Sequence, residues 1–209
     1  MKKGLFITFE GADGSGKTTQ VNKIKSFLEE KGYEVVLTRE PGALELGQKI
    51  RNILLHSTEV IADRCEIFLF VADRAQHIET FIKPAINQGK IVLCDRHTDS
   101  TIAYQGYGRG QDIEMLKQLN EIAVNGLKPD LTLLFDVSTE VAQERVGSEK
   151  DRMESAGIEF HKKVRNGYLE LQKQEPDRIK LINANNFIDN VYEDTKQVII
   201  QLLQEKLEA

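Results

Sequence analysis

Cysteine, long apolar runs and a surplus of positive charge are scarce or missing in this sequence, and each absence excludes a class of protein. The chain of 209 residues contains two cysteines, Cys65 and Cys94. Both stand in apolar surroundings, so we expect small core residues and neither a disulfide bridge nor a metal-binding pair. No run of about 18 apolar residues occurs, which excludes a membrane-spanning helix of ordinary length.

The charge balance is slightly acidic, with 28 lysines and arginines against 33 aspartates and glutamates and a formal net charge of −5. Without a basic excess, we expect neither nucleic acid nor a membrane surface as a partner. An anionic substrate would then have to be held by locally placed arginines. Met1-Lys2-Lys3 leads into a strand too short to be the apolar part of a signal peptide, so the cytoplasm is the expected location.

The sequence also lacks internal repeats, low-complexity tracts and a credible interdomain linker. Its 40% apolar and 29% charged residues are typical of a soluble globular protein. A chain of 209 residues is long enough for a full hydrophobic core. We therefore expect a single domain covering residues 1–209.

A glycine-rich stretch is the strongest feature among what the sequence does contain. It follows the pattern G-x-x-x-x-G-K-[ST] of the phosphate-binding loop in nucleoside-triphosphate enzymes. An apolar run precedes it and apolar residues at helical spacing follow it, so the loop joins a strand to a helix. In such a loop Lys17 reaches the outer phosphates and the hydroxyl group of Thr18 coordinates Mg²⁺. The predicted nucleotide-binding residues are Gly11, Ala12, Asp13, Gly14, Ser15, Gly16, Lys17, Thr18 and Thr19.

Five apolar runs alternate with helical patterns along the chain. They are nearly continuous, which is typical of parallel strands covered on both faces. This alternation predicts a three-layer α/β/α fold with a five-stranded parallel sheet, whose ligands bind beyond the carboxyl ends of the strands. The predicted strands cover residues 5–9, 33–38, 91–95, 131–136 and 179–183.

Two segments exceed what a simple α/β unit needs. The mostly helical region at about residues 40–90 is long for a crossover, and we expect it to form a wall or small lobe over a bound acceptor. The stretch from Gly147 to Arg152 is polar and charged, which predicts a mobile loop. Arg152 would ordinarily be a solvated residue of such a loop, but in a phosphotransferase it could swing in and neutralise transition-state charge.

Aspartates end two of the predicted strands, and either could be the Mg²⁺-associated carboxylate of a phosphotransferase. Asp95 is followed by Arg96, so one strand tip carries a carboxylate for the metal and a guanidinium for a phosphate. Asp136 is followed by Ser138 and Glu140, which are typical of a helix N-cap. We favour Asp95 on that ground and keep Asp136 as the alternative.

Arg39 closes the second predicted strand, and Pro41-Gly42 turns the chain away directly afterwards. A surface arginine at a turn is the simpler interpretation, but the strand tip beside the phosphate loop favours a role in anion binding. Helical spacing alone leaves three further residues ambiguous between core and site. They are Phe70, Arg74 and Tyr104.

Several motifs recur together in matching order from about residue 4 to the final helix. They are Phe9-Glu10-Gly11 through Thr19, Thr38-Arg39-Glu40-Pro41-Gly42, Asp95-Arg96-His97, Ala103-Tyr104-Gln105-Gly106 and Gly108-Arg109-Gly110. As a set they resemble bacterial thymidylate kinases, which are P-loop nucleoside monophosphate kinases. The resemblance implies transfer of the γ-phosphoryl group of ATP to dTMP with Mg²⁺, giving dTDP and ADP in dTTP biosynthesis.

The resemblance also implies roles for individual residues. Phe70 would stack on thymine, Arg74 would hydrogen-bond its carbonyl edge, and Arg39 and Arg96 would hold the acceptor phosphate. The remaining implied contacts are Asp13 at the sugar 3′-hydroxyl, Tyr104 at the 2′ position, Pro41, Ser100, Thr101 and Gln105 around the acceptor, and Arg145, Asn183 and Ala184 around adenine.

The same resemblance implies a lid at about residues 146–157 that carries the catalytic arginine. Other members carry this arginine in the phosphate loop, where this chain has Gly14, so Arg152 of Asp151-Arg152-Met153-Glu154 is the expected residue. A homodimer packed through helices, including residues 63–77, is also implied.

Two other functions stay open from the sequence. A deoxynucleoside or other nucleotide kinase on the same scaffold would differ by only a few pocket contacts. A P-loop switch or ATPase would act through a partner instead of an acceptor. Against the second, no Asn-Lys-x-Asp guanine-reading motif occurs, and arginines at separate strand tips imply a second anion.

Overall fold

Five parallel strands form the central sheet of the computed structural model, which describes residues 4–146 and 152–207. They are β1 (Leu5–Glu10), β2 (Val35–Arg39), β3 (Ile91–Asp95), β4 (Leu131–Asp136) and β5 (Ile179–Asn183). Their order across the sheet is β2-β3-β1-β4-β5. In the register of the sheet, Phe9 and Arg39 both lie opposite Asp95, so the carboxyl ends of β1, β2 and β3 meet at one edge.

Helices cover both faces of this sheet. A π-helical segment, Ile78–Ile82, continues the helix Asp63–His77, and a second one, Ile102–Gly108, continues the helix Thr98–Thr101. A short 3₁₀ turn, Glu154–Ala156, precedes the helix Ile158–Gln174. The helices are α1 (Lys17–Glu30), α2 (Glu45–His56), α3 (Asp63–His77), α4 (Lys83–Asn87), α5 (Thr98–Thr101), α6 (Ile113–Val124), α7 (Thr139–Arg145), α8 (Ile158–Gln174) and α9 (Ile188–Lys206).

Alternate residues of β1 pack against opposite helical layers, because successive side chains of a strand point to opposite faces. Ile7 and Phe9 join apolar residues of α1 and α9 in one core cluster. Phe6 packs with Ile78 and Val92 on the other face. The strand is therefore buried on both sides, as its continuous apolar sequence predicts, and this packing fixes the position of the loop that follows it.

The predicted three-layer α/β/α fold is confirmed, and the predicted bounds match those of β3, β4 and β5, while β1 continues one residue further, to Glu10. Strand β2 begins at Val35 instead of Tyr33 and ends at Arg39 instead of Thr38, because its pairing with β3 runs from Val35 and Ile91 to Arg39 and Asp95. No helix within residues 4–146 and 152–207 has the combination of length and apolar character that crossing a bilayer requires.

The expectation that both cysteines are core residues is wrong for Cys65. Cys94 is buried in β3, but Cys65 is exposed on α3. The buried face of α3 begins with Glu66 and Ile67, so the helical turn directs Cys65 to solvent although its neighbours in sequence are apolar.

Candidate active site

The phosphate loop runs from the end of β1 into α1 through three glycines with positive φ. Gly11, Gly14 and Gly16 have φ angles of 138°, 77° and 85°, which side chains rarely adopt. Close packing is a second constraint at two of them. A Cβ atom on Gly11 or Gly14 would collide with the carbonyl oxygen of Phe135 or Ala142, respectively. The loop is thus held tightly against β4 and α7.

Lys17 is buried at the start of α1, where its ammonium group donates to the carbonyl oxygens of Gly11 (2.8 Å) and Ala12 (2.9 Å). Burial, followed by repulsion from Arg96, lowers the pKa of Lys17 to about 8. The group therefore stays protonated at neutral pH. A desolvated cation beside the N-terminus of a helix is a strong attractant for a polyphosphate.

Arg96 stands at the tip of β3 with a positive φ of 69°, an uncommon conformation for this residue type and one that clusters at functional sites. Its Nη2 atom donates to Asp13 Oδ1 (2.6 Å) and to the Tyr104 hydroxyl (3.1 Å). The Tyr104 hydroxyl donates to Asp13 Oδ2 (2.9 Å). Burial opposes the charged carboxylate, yet Arg96 and then Lys17 hold the pKa of Asp13 well below its usual range.

The two strand-end aspartates differ in their partners. Asp136 accepts hydrogen bonds from Arg165 Nε (2.6 Å) and Nη2 (2.8 Å), so its carboxylate is already neutralised. Asp95 lines the cavity beside the phosphate loop, and its buried Oδ1 atom has no hydrogen-bond partner among the residues that the structure describes. Thr18 lines the same cavity. A buried carboxylate oxygen without a donor in the described residues and a hydroxyl group in the same cavity are the kind of oxygen ligands that Mg²⁺ prefers.

One cavity of about 740 Å³ brings most of the predicted site residues together. This volume lies within the range of about 300–1,000 Å³ that is usual for ligand pockets. Gly11 and Ala12 contribute to it indirectly, through the carbonyl groups that hold Lys17. The predicted residues that line the cavity are Asp13, Gly14, Ser15, Gly16, Lys17, Thr18, Thr19, Arg39, Pro41, Phe70, Arg74, Asp95, Arg96, Ser100, Thr101, Tyr104, Gln105, Arg145 and Ala184.

Arg74 forms part of the cavity wall and is held by four hydrogen bonds. Its Nε donates to Glu40 Oε2 (2.7 Å), its Nη2 to the His97 carbonyl (2.9 Å), and its Nη1 to Thr101 (3.0 Å) and Asn120. A guanidinium has five N–H donors, so one N–H on Nη2 has no partner in the described part of the chain and is available to a ligand. Burial disfavours the Glu40 carboxylate, but Arg74 and then His97 keep its pKa well below the usual range.

Glu10 is a site residue that sequence reasoning missed. This buried carboxylate at the end of β1 accepts hydrogen bonds from the His97 amide (2.7 Å), Ser100 Oγ (2.6 Å) and the Tyr168 hydroxyl (2.9 Å). Burial, and then repulsion from Asp99, raises the pKa of Glu10 to about 6. It ties α8 and α5 to the strand that leads into the phosphate loop. The sequence does contain a signal for Glu10, because it is a charged residue at the end of an otherwise apolar run.

The predicted lid is only partly described, because residues 147–151 lie outside the described ranges. Arg152 lies beside α2 and α3, where its Nε donates to the Leu54 carbonyl (2.8 Å) and its Nη2 pairs with Glu66. Arg145 donates to the Ala184 carbonyl (3.1 Å) and, at 3.5 Å, to that of Gly14. Asn183 ends β5, and its side chain accepts from the Asn185 amide (3.2 Å). The roles assigned to Arg152 and Asn183 stay predictions.

A phosphate loop by itself serves switches and ATPases as well as kinases. Here the loop shares its cavity with two arginines from other elements, Arg39 and Arg96, and with an aromatic side chain, Phe70. Fold and site together define a P-loop kinase of the nucleotide kinase class. The family model described as "Thymidylate kinase" matches residues 9–195. This chain therefore belongs to the thymidylate kinase family and is an enzyme.

Similar proteins support the same assignment over nearly the whole chain. A thymidylate kinase of Maridesulfovibrio salexigens is 44% identical, covering 96% of this chain and 97% of its own. One from Syntrophotalea carbinolica is 48% identical, covering 90% and 91%. The crystal structure of thymidylate kinase from Ehrlichia chaffeensis matches with a TM-score of 0.78 at 38% identity, covering 94% of this chain and 99% of that one.

Proposed function

We propose that this enzyme transfers the γ-phosphoryl group of ATP to the phosphate of dTMP, giving dTDP and ADP for dTTP biosynthesis. The observation that carries the proposal is the single cavity in which Lys17 and the phosphate loop share space with Arg39, Arg96 and Phe70. Phosphoryl transfer depends mainly on placing two anions end to end and neutralising their charge. A cavity with Lys17 on the donor side and Arg39 and Arg96 on the acceptor side meets that requirement.

At the donor end, the phosphate loop and Lys17 bind the β- and γ-phosphates of ATP. Arg145 packs on the adenine, with Asn183 and Ala184 on the other side. The contact of Arg145 with the Ala184 carbonyl supports this arrangement, since it holds the guanidinium beside another residue of the proposed adenine site.

At the acceptor end, Phe70 stacks on the thymine and Arg74 donates its remaining N–H to a carbonyl oxygen of the base. Arg39 and Arg96 bind the phosphate of dTMP. Asp13 accepts from the sugar 3′-hydroxyl, and Tyr104, held by Asp13 and Arg96, leaves no room for a 2′-hydroxyl. Pro41, Ser100, Thr101 and Gln105 complete this wall of the pocket.

Mg²⁺ would be held by the Thr18 hydroxyl and by Asp95, either directly or through water. When bound, the ion neutralises charge on the phosphate oxygens of ATP. Among the residues of the described ranges, none donates to Asp95 Oδ1, whereas Asp136 is occupied by Arg165.

Arg152 acts as the lid arginine in this proposal. The acceptor-binding region at about residues 40–90 and the lid at about 146–157 are parts of one domain spanning 1–209. The pairing of Arg152 with Glu66 supports a lid that reaches the acceptor side, from which its guanidinium is delivered to the transferred group.

A panel of acceptors tests this function. With ATP and Mg²⁺, ADP release should depend strongly on dTMP, less on dUMP, and least on dCMP or thymidine. The poor activity of thymidine would separate this enzyme from a deoxynucleoside kinase. Equal turnover with no acceptor present would contradict the proposal and favour an ATPase. Preference for another nucleoside monophosphate would change the proposed acceptor but not the proposed kinase reaction.

We also propose a homodimer that packs through α3. Phe68 on that helix is 58% exposed, an uncommon exposure for a large aromatic side chain. Phe68→Glu should convert the dimer to a monomer in sedimentation experiments. Leu181→Glu is the control, because Leu181 is 48% exposed on the edge strand β5 and does not belong to α3. A monomeric wild type would contradict this proposal. The cytoplasmic location stays a prediction.

A further inference from the structure

Glu66 is a buried carboxylate that the phosphoryl-transfer chemistry does not use. It lies on α3 four residues before Phe70, with about 1% of its surface exposed. We propose that Glu66 sets the base specificity of the acceptor pocket by fixing the orientation of the Gln105 amide. The inference rests on the proposed function and adds the reason why a pyrimidine with an N3–H group is selected.

The geometry at Glu66 leaves the Gln105 amide one orientation. Gln105 Nε2 donates to Glu66 Oε1 at 2.8 Å. The other carboxylate oxygen of Glu66 pairs with Arg152, and Arg109 Nε lies 3.8 Å from Oε1. A carboxylate held by arginines offers only acceptors, so the NH₂ group of Gln105 must face it. The carbonyl oxygen of Gln105 then points away from Glu66.

That oxygen is available to a ligand. Gln105 lines the same cavity as Phe70 and Arg74. Across residues 4–146 and 152–207, no group donates a hydrogen bond to Gln105 Oε1, although the side chain as a whole is buried. Because Gln105 lines the cavity, this acceptor is open to a donor on a ligand. Its natural partner in this pocket is an N–H group on the edge of the base.

Thymine and uracil present an N3–H donor beside a 4-carbonyl acceptor, whereas cytosine presents an N3 acceptor beside a 4-amino donor. The Gln105 oxygen and the remaining N–H of Arg74 match the first pattern. Against cytosine, acceptor would face acceptor and donor would face donor. Sites built to hydrogen-bond one pattern reject the other strongly, because buried polar groups are left unpaired.

Glu66→Gln is the informative change because an amide at this position can accept from or donate to Gln105. Both orientations of the Gln105 amide would then be satisfied, and the flipped one would present an NH₂ group to the base. We expect the preference for dTMP over dCMP, measured as the ratio of kcat/KM values, to fall by roughly tenfold or more. The ratio of dTMP to dUMP should not change, because both bases share the N3–H and the 4-carbonyl.

Two further variants separate base reading from other effects. Arg152→Met removes the other partner of Glu66 but keeps its carboxylate, so kcat should fall for every acceptor while the dTMP to dCMP ratio stays. Gln105→Met should lower that ratio by itself, and adding Glu66→Gln to it should lower the ratio no further. Calorimetric affinities for dTMP and dCMP without ATP report the same preference independently of catalysis.

Several outcomes would overturn the inference. One is a Glu66→Gln enzyme whose ratio of kcat/KM values for dTMP and dCMP equals that of the wild type. Another is a Gln105→Met enzyme that keeps the full preference for dTMP over dCMP. The second outcome decides the question even if the Glu66→Gln protein does not fold. An equal shift of the ratio in Arg152→Met would assign the effect to the lid. If the wild type itself shows no preference for dTMP over dCMP, that result contradicts the proposed function, on which the inference about Glu66 rests.

Discussion

Arg96 Nη2 lies 2.6 Å from Asp13 Oδ1, joining two residues that are 83 positions apart in the sequence. Asp13 belongs to the phosphate loop and Arg96 to the tip of β3. The ion pair therefore connects the donor side of the cavity with the acceptor side. Contacts with Asp13 and Tyr104 hold the Arg96 guanidinium in one position, so it is not a mobile surface cation.

Arg96→Lys should raise KM for dTMP roughly tenfold or more and also lower kcat, because lysine cannot reproduce the forked donors that bind phosphate and Asp13 together. Steady-state kinetics with varied dTMP at saturating ATP measures both effects. Arg165→Lys is the matched control, since Arg165 forms a comparable ion pair with Asp136. An unchanged KM for dTMP in Arg96→Lys would refute a role in acceptor binding.

Nucleotide affinity should fall as pH rises above about 8, the pKa to which burial lowers Lys17. Below this pKa the Lys17 amine of the free enzyme is already protonated. Above it, the polyphosphate must bind a neutral amine or take up a proton with it. The affinity for nucleotide therefore falls by up to about tenfold per pH unit. Titration calorimetry with ADP across this range measures the slope. Lys17→Met should bind weakly and without this slope.

The same lowered pKa predicts the opposite trend for stability without nucleotide. The unfolded chain holds the Lys17 proton up to the ordinary lysine pKa of 10.5, whereas in the folded chain the pKa is about 8. The unfolded state therefore binds more protons between these values, and this group makes folding more favourable as pH rises through them. A contribution of the opposite sign, isolated by comparing wild type with Lys17→Met, would contradict the burial of a charged lysine.

Asp95→Asn and Asp136→Asn should separate the two candidate carboxylates. Asp95→Asn should lower kcat by roughly a hundredfold or more at fixed Mg²⁺, because several kcal/mol of charge stabilisation depends on the metal. Asp136→Asn loses only its pair with Arg165 and should lower the free energy of unfolding by about 1 kcal/mol or less. Mg²⁺ titrations of activity provide the measurement, and a larger loss in Asp136→Asn would reverse the assignment.

Arg152→Ala should lower kcat by about a thousandfold, the magnitude typical of an arginine that neutralises transition-state charge, with little effect on dTMP affinity. Arg145→Ala should instead raise KM for ATP, since Arg145 lies at the Ala184 carbonyl near the donor base. Single-turnover rates and equilibrium dTMP binding distinguish the two. A change confined to KM for dTMP in Arg152→Ala would show that the lid assignment is wrong.

The architecture could be predicted because each signal in the sequence reports a local cause. Continuous apolar runs arise from strands covered on both faces, and the glycines of the phosphate loop from backbone with positive φ. The edge strand β2 was placed less accurately, since its bounds depend on pairing with β3. Cys65 was misplaced because apolar neighbours do not specify which side of a helix a residue occupies.

The buried carboxylates could not be found in the same way. Glu10, Glu40 and Glu66 belong to a residue type that usually lies at the surface, and their burial depends on partners far away in sequence. Signals did exist for two of them: Glu10 ends an apolar run, and Glu66 precedes Phe70 and Arg74 by four and eight residues on one helical stripe. Spacing alone could not identify Gln105 or Arg152 as its contacts.

The collision that a Cβ atom on Gly14 would have with the Ala142 carbonyl has a consequence for how this enzyme can evolve. Since a side chain fits at that position only if the backbone of α7 moves, an arginine cannot enter the phosphate loop there by a simple exchange. A cation for the transition state therefore has to come from another part of the chain, and the proposed function assigns that task to Arg152.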